Sequence, residues 1–280
     1  MHSSTLSAAV AASLAMSATA LAQVPSTGLV VGVDDTTVPV FIDDNPGSGS
    51  YDALFTGADI WGLTWDGSVL HAAEGTAYAT YALDGTRTAI GAFSPDQGVT
   101  TQIFVGLAFD PVAGVLYGSD TSGTTTSASP EGIYSIDPAT GLSKIVVDLS
   151  DPGNLYDFGG LAFNPVDGLL YGTSDSVAGS VGQGLYSIDP DTGVVTGIAS
   201  YPAGETDIDG LAYGDGSLWL VTDQGGNFYE YDLTGGTYTA FPSAFTTNEI
   251  FSGAAFIPIP EPTSAAVLAL TSVAALRRRR

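Results

Sequence analysis

A short apolar pattern recurs five times along the chain, each time around a glycine. The glycines are Gly62, Gly106, Gly160, Gly210 and Gly253, which stand 44, 54, 50 and 43 residues apart. The residue two before each glycine is Ile or Phe, and the residue three after it is Trp65, Phe109, Phe163, Tyr213 or Phe256. Because these two positions lie on opposite faces of an extended strand, the pattern predicts an inner strand that is buried on both faces. Its regular recurrence predicts a repeat architecture.

Three more strands follow the first within each period. A turn with Pro and Gly (residues 110–114 and 164–168) leads to a second strand at 70–72, 116–118, 170–172 and 218–220. A third strand ends in an aspartate, namely Asp84, Asp137, Asp189 and Asp232. A β-branched fourth strand follows, as at 144–147 and 194–198. Four short strands in each period of about 45–50 residues are typical of a β-propeller blade.

The two ends of the body complete one blade together. The last copy of the inner strand, at 251–256, has no second, third or fourth strand after it, whereas segments 29–34, 40–47 and 51–55 have these patterns and no inner strand before them. We therefore expect an all-β, five-bladed propeller of four-stranded blades over residues 23–258. An open repeat array and a six-bladed ring are the alternatives. Closure of the ring would remove the free sheet edges that promote aggregation.

Composition limits the classes of function. The chain has 30 acidic and 6 basic residues, and four of the basic residues form the terminal run 277–280. Such a charge disfavours binding to nucleic acid and leaves cations and neutral molecules as partners. There is no cysteine, so disulfides and cysteine metal sites are excluded. His71 is the one histidine outside the leader described next, which excludes a multi-histidine zinc site.

The first 22 residues have the features of a secretory signal peptide. Residues 6–21 are almost all small or apolar, and Ala20-Leu21-Ala22 supplies a small-residue cleavage site before Gln23. We expect export, and a mature chain that begins at residue 23.

The last 22 residues, 259–280, contain Pro260-Glu261-Pro262, then an apolar segment at 264–276, then four arginines. This order resembles the PEP-CTERM sorting signal of bacterial surface proteins. The resemblance implies handling by exosortase-type machinery and a place at the bacterial cell surface, in the envelope or outside the cell. A thirteen-residue helix is only about 20 Å long, against about 30 Å of bilayer hydrocarbon, so the transmembrane helix is expected to be a marginal or transient anchor. The four arginines favour a cytoplasmic location for the C-terminal end of this segment.

Polar residues stand just before the inner strands, once per period. If those strands surround a channel, the carboxylates converge at one mouth and offer oxygen ligands for Ca²⁺ or Mg²⁺. Solvated acids at strand starts are the alternative. The residues are Asp59, Gln102, Asp157, Asp207 and Glu249, of which the four acids form the expected metal site.

Other residues have simpler interpretations. Asp43 and the aspartates that end the third strands each precede a turn with glycine, which predicts Asx-type turn capping. Residues 43–48 hint at a calcium loop but lack the EF-hand spacing. His71 has no nucleophile motif beside it and is expected to be structural. Trp219 stands where other periods carry tyrosine, and is the candidate for stacking on a sugar.

These observations favour a secreted, surface-sorted propeller that acts as a non-catalytic binding or extracellular-matrix protein, with extracellular polysaccharide as the candidate ligand. No residue is identified as catalytic. The alternative is a glycoside hydrolase or lyase that uses channel carboxylates, since known five-bladed propellers include glycosidases. Carboxylates clustered in a deep pocket would favour the enzyme, and shallow aromatic sites would favour the binding protein.

Overall fold

The computed structural model describes nine ranges: residues 27–33, 39–48, 50–95, 102–120, 130–150, 156–202, 204–222, 227–242 and 251–258. The predicted signal peptide, the predicted sorting signal with its apolar segment, and Glu249 lie outside these ranges. Within them, no helix has the length and apolar character needed to cross a bilayer.

The described residues form five antiparallel sheets arranged as the blades of a β-propeller, which confirms the predicted fold. Each blade runs from an inner strand outwards in the order predicted. Blade I is β4 (Gly62–Trp65), β5 (Leu70–Glu74), β6 (Ala77–Tyr81) and β7 (Arg87–Ala92). Blade II is β9 (Gly106–Asp110), β10 (Val115–Asp120), β11 (Gly132–Ile136) and β12 (Leu142–Asp148), and the two-residue strand β8 (Ser94–Pro95) pairs in parallel with β12.

Blades III and IV repeat the plan. Blade III is β13 (Phe158–Asn164), β14 (Leu169–Ser174), β15 (Gly184–Ile188) and β16 (Val195–Ser200). Blade IV is β17 (Gly210–Gly214), β18 (Ser217–Val221), β19 (Asn227–Asp232) and β20 (Thr237–Pro242).

Blade V joins the two ends of the body, as the sequence predicts. Its inner strand is β21 (Phe251–Pro258), and its outer strands are β1 (Thr27–Val33), β2 (Pro39–Asp43) and β3 (Asp52–Thr56). Strands β1 and β21 pair antiparallel from Thr27 opposite Pro258 to Val33 opposite Phe251. The ring is thus closed by backbone hydrogen bonds between segments more than 200 residues apart in sequence.

The repeated glycine is explained by the close approach of neighbouring inner strands. A Cβ atom built on Gly106 would lie 2.5 Å from the carbonyl oxygen of Gly159 in the next blade, and one built on Gly62 would lie 2.9 Å from that of Val105. Backbone atoms cannot move aside as a flexible side chain can. Only glycine therefore lets the inner strands pack side by side around the axis.

The apolar position two before each glycine fills the space between blades. Its five residues are at most 1% exposed: Ile60, Phe104, Phe158, Ile208 and Phe251. The predicted aromatic position, three after the glycine, is different. All five of its side chains are only half-buried, so the expectation of full burial was wrong there. They lie where the inner strands end and the channel opens.

The aspartates that end the third strands cap turns, as predicted. The side-chain oxygen of each accepts a hydrogen bond from the backbone N–H two residues on, at 2.8–2.9 Å, for Asp43, Asp84, Asp137, Asp189 and Asp232. Asp43 also accepts one from the Ser48 hydroxyl. These contacts account for residues 43–48 as an Asx turn.

Candidate functional site

Period-two alternation along the inner strands divides the central channel into three layers. Side chains one before, one after and three after each glycine lie on the same face of their strand. The middle layer is apolar and at most 3% exposed, and consists of Leu63, Leu107, Leu161, Leu211 and Ala254. It separates a recess at the start of the inner strands from another at their ends.

The recess at the start of the inner strands is acidic, and we call it the acidic mouth. It has a volume of about 290 Å³ and is lined by four carboxylates, together with Trp61, Val105, Gly159 and Ser252. The carboxylates belong to Asp157, Asp175, Asp207 and Asp209. Carboxylate oxygens of Asp175, Asp207 and Asp209 all lie within 4.8 Å of one another. None of the lining residues is basic.

The four acids come from two adjacent blades. Asp157 precedes β13 and Asp175 follows β14, both in blade III, whereas Asp207 and Asp209 precede β17 of blade IV. Asp209 packs directly on Gly159, where the absence of a side chain makes room for its carboxylate. The negative charge is therefore concentrated on one side of the mouth.

Asp175 is the most strongly perturbed of these acids. Burial, and then the charges of Asp209 and Asp207, together raise its pKa to about 8. Its Oδ1 accepts a hydrogen bond of 2.9 Å from the Tyr201 hydroxyl. Burial, and then the charge of Asp207, also raise the pKa of Asp157. The mouth thus holds more negative charge than its surroundings balance.

Trp61 lies across the mouth from this cluster. It precedes β4 of blade I, which is two blades away from both blade III and blade IV around the ring. Its indole Nε1–H donates a hydrogen bond of 2.8 Å to Asp59 Oδ1, which fixes the ring orientation. An oriented, half-buried ring thus faces a cluster of oxygen ligands.

The sequence-predicted ring of ligands is only partly assembled. Asp157 and Asp207 line the acidic mouth, whereas Asp59 is not among the lining residues and accepts the hydrogen bond from Trp61. Gln102 is fully buried and accepts a hydrogen bond from the Ser143 hydroxyl, so it does not reach the mouth. Glu249 lies outside the described residues. The structure adds Asp175 and Asp209. The sequence prediction did not include them because it considered only one position just before each inner strand.

Trp219 does not present a ring to solvent. It is 6% exposed, its ring stacks on Phe241 and packs against Phe256, and its Nε1–H donates to the carbonyl oxygen of Gly214. Burial accounts for the aromatic residue at this position, and Trp61 is the better-placed stacking surface. His71 is structural, as expected: its ring nitrogens contact Tyr78 and Asp66 at 2.5 and 2.9 Å, and it is 3% exposed.

The recess at the other end of the channel, which we call the aromatic mouth, has a volume of about 230 Å³. It is lined by one aromatic residue from each blade: Trp65, Phe109, Phe163, Tyr213 and Phe256. The channel therefore has two chemically different ends.

Comparison with known proteins supports the fold alone. No protein-family model and no curated protein sequence matches the chain. Among solved structures, it resembles a chain of a nidogen/laminin complex at 15% identity and a TM-score of 0.51, covering 82% of this chain and 98% of that one. A gluconolactonase from Xanthomonas campestris is similar at 18% identity and a TM-score of 0.52, covering 80% and 81%.

A structural-genomics protein of unknown function from Bacteroides thetaiotaomicron matches at 15% identity and a TM-score of 0.51. That match covers 77% of this chain but only 55% of the other. At such identities the likeness concerns the β-propeller architecture. The names of these neighbours include both a binding complex and an enzyme, so they do not decide between the two functions.

Proposed function

We propose that the protein is an exported, surface-sorted and non-catalytic propeller that binds extracellular polysaccharide through a divalent cation at the acidic mouth. The observation that carries this proposal is the cluster of Asp175, Asp207 and Asp209 facing Trp61 across one recess. The predicted signal peptide and the resemblance of residues 259–280 to a sorting signal support export and surface location. Exosortase-type machinery is the partner proposed for sorting.

The cation follows from the chemistry of the cluster. Ca²⁺ takes six to eight oxygen ligands and Mg²⁺ takes six, so three carboxylates leave coordination positions for other oxygens. Sugar hydroxyl and carboxylate groups are oxygen ligands of the same kind. A bound cation would also offset the repulsion that raises the pKa of Asp175.

Polysaccharide is the ligand that fits the rest of the mouth. A protein with a formal net charge of −24 repels an anionic polysaccharide unless a cation bridges the two. Trp61 supplies an apolar face, with an orientation fixed by Asp59, on which a sugar ring can stack. The two features together would bind one residue of the polymer between a cation and an indole.

Binding of alginate and dextran oligosaccharides, with Ca²⁺ or with a chelator, tests the proposal. We expect calcium-dependent binding of alginate that falls at least tenfold in Asp207→Asn and in Trp61→Leu. The matched control is Asp84→Asn, which changes an exposed turn-capping carboxylate far from the mouth. Equal binding with chelator, or equal binding by Asp207→Asn and wild type, would contradict the cation role.

A second candidate is a carboxylate-dependent glycoside hydrolase or lyase, and one observation favours it. An acid with a pKa near 8 beside other carboxylates is the arrangement of a general acid with a base or nucleophile. Release of reducing ends or unsaturated products from the same oligosaccharides by wild type, abolished in Asp175→Asn, would establish the enzyme instead.

A further inference from the structure

The aromatic mouth is a separate recess with its own chemistry. Its five rings are all half-buried, and the apolar layer that contains Leu161 and Leu211 separates it from the acidic mouth. The turns that frame it are short, and that between β17 and β18 is the Asp215-Gly216 pair with both residues at positive φ. The recess is therefore built on strand ends rather than on long loops.

Three of the rings are held from behind by the second strand of the preceding blade. Phe109 stacks on His71 with ring centroids 6.0 Å apart, and Phe163 stacks on Tyr117 at 6.2 Å. Phe256 packs on Trp219 at 5.6 Å. In these three rings the contact covers one face and leaves the other face or the edge for the recess. A ligand would thus meet rings already ordered, at little cost in conformational entropy.

Two acidic side chains lie at or near this apolar floor. Asp66 lines the recess beside Trp65. Burial, and then the charge of Asp167, raise the pKa of Tyr213, so this second carboxylate lies close to another of the rings. None of the lining residues is basic. The negative charge of these acids and the negative faces of the rings attract the same kind of ligand, a cation with an apolar surface.

We propose that the aromatic mouth binds a small organic cation of the quaternary ammonium class. The positive charge would lie against the five rings that line the recess, and the carboxylates of Asp66 and Asp167 would add long-range attraction. A neutral sugar would gain the stacking but not the electrostatic attraction. The volume of about 230 Å³ suits a small head group.

Choline is a suitable probe, and its neutral isostere 3,3-dimethylbutan-1-ol separates charge from shape. Titration calorimetry with chelator present, at constant ionic strength, should show choline binding more tightly than the alcohol. Phe163→Leu keeps an apolar side chain but removes the π face. We expect this substitution to weaken choline binding roughly five- to thirtyfold. Phe163→Tyr restores a ring face at the same position and should recover most of the affinity that Phe163→Leu loses.

Two controls separate this site from folding and from the acidic mouth. Val177→Ala changes a side chain that is 80% exposed and should leave binding unchanged. Asp175→Asn combined with Asp207→Asn should also bind choline normally, since these acids line the other recess. Thermal unfolding of each variant shows whether a loss of binding reflects loss of structure.

Three results would overturn the proposal. One is equal affinity for choline and for the alcohol. Another is binding of methyl glucoside in the absence of choline binding, which would make the recess a sugar site. The third is loss of choline binding in the acidic-mouth double variant but not in folded Phe163→Leu.

Discussion

Replacing Asp175 by Asn should stabilise the protein when no divalent cation is present. Burial, followed by the charges of Asp209 and Asp207, raises the pKa of this carboxyl from 3.8 to about 8. The Asn side chain keeps an oxygen that can accept the hydrogen bond from the Tyr201 hydroxyl. The substitution therefore removes the unfavourable ionisation while retaining the shape and the main contact of the side chain.

The sign follows from proton binding. Between pH 3.8 and about 8, the folded state holds a proton on Asp175 that the unfolded state has released. The free energy of unfolding of the wild type therefore falls as pH rises through this window, by up to about 1.4 kcal/mol per pH unit, and levels off above it. The full window sets an upper limit of about 6 kcal/mol on this change in the free energy of unfolding. Sharing of the proton with Asp207 and Asp209 reduces the expected difference to about 2–3 kcal/mol.

Urea unfolding with chelator, at several values between about pH 4 and about pH 9, measures the difference. We expect Asp175→Asn and wild type to be equally stable at the acid end and the variant to be more stable at the alkaline end. Asp84→Asn, on an exposed turn, is the control for the chemical change itself. Saturating Ca²⁺ should stabilise the wild type more than the variant, because ligand binding adds to the stability of the state that binds it.

The reasoning is refuted if the stability difference does not change with pH, or if Asp175→Asn is the less stable protein at the alkaline end with chelator. Either result would mean that the Asp175 carboxylate is adequately solvated or balanced in the folded protein.

Two further predictions concern the fold. Gly106→Ala should lower the free energy of unfolding by about 1–3 kcal/mol or more, because its Cβ would meet a backbone oxygen of the next blade. Gly114 has open space around it but a φ of +69°, so Gly114→Ala should lower the free energy of unfolding by only about 1–2 kcal/mol. Denaturant unfolding measures both changes. Trp219→Ala should lower the free energy of unfolding by about 3–5 kcal/mol, because it removes a buried ring, and should leave the alginate affinity of the folded protein unchanged. A loss of alginate affinity in the folded variant would show that Trp219 contacts the ligand after all.

The propeller could be predicted from sequence because the same packing contacts recur in every blade and require the same kinds of residue at the same positions. The glycine at the axis, the Ile or Phe between blades and the aspartate at the third turn recur for the same physical reason in each period. The shared blade was predictable too, since the strands absent after 256 have their patterns at 29–55. These features are local or periodic, and both kinds of pattern are readable in a single chain.

The candidate site was harder to predict because it breaks the repeat. Asp209 occupies a position where other blades have Trp61, Val105, Gly159 and Ser252, so no repeated acid marks it. Asp175 reaches the mouth from the end of a second strand. The period-two alternation of side chains along β17, followed back past Gly210, puts Asp209 on the channel face, so this residue was predictable from the sequence. Only the three-dimensional structure brings Asp175 to the channel.

Anomalous diffraction from crystals grown with Mn²⁺ tests the central claim most directly, since Mn²⁺ accepts the same oxygen ligands as Mg²⁺ and Ca²⁺. The proposed function predicts an anomalous peak bonded to carboxylate oxygens of Asp175, Asp207 and Asp209, absent from crystals of the Asp175→Asn, Asp207→Asn double variant. A wild-type map at saturating Mn²⁺ without a peak at the acidic mouth would contradict it.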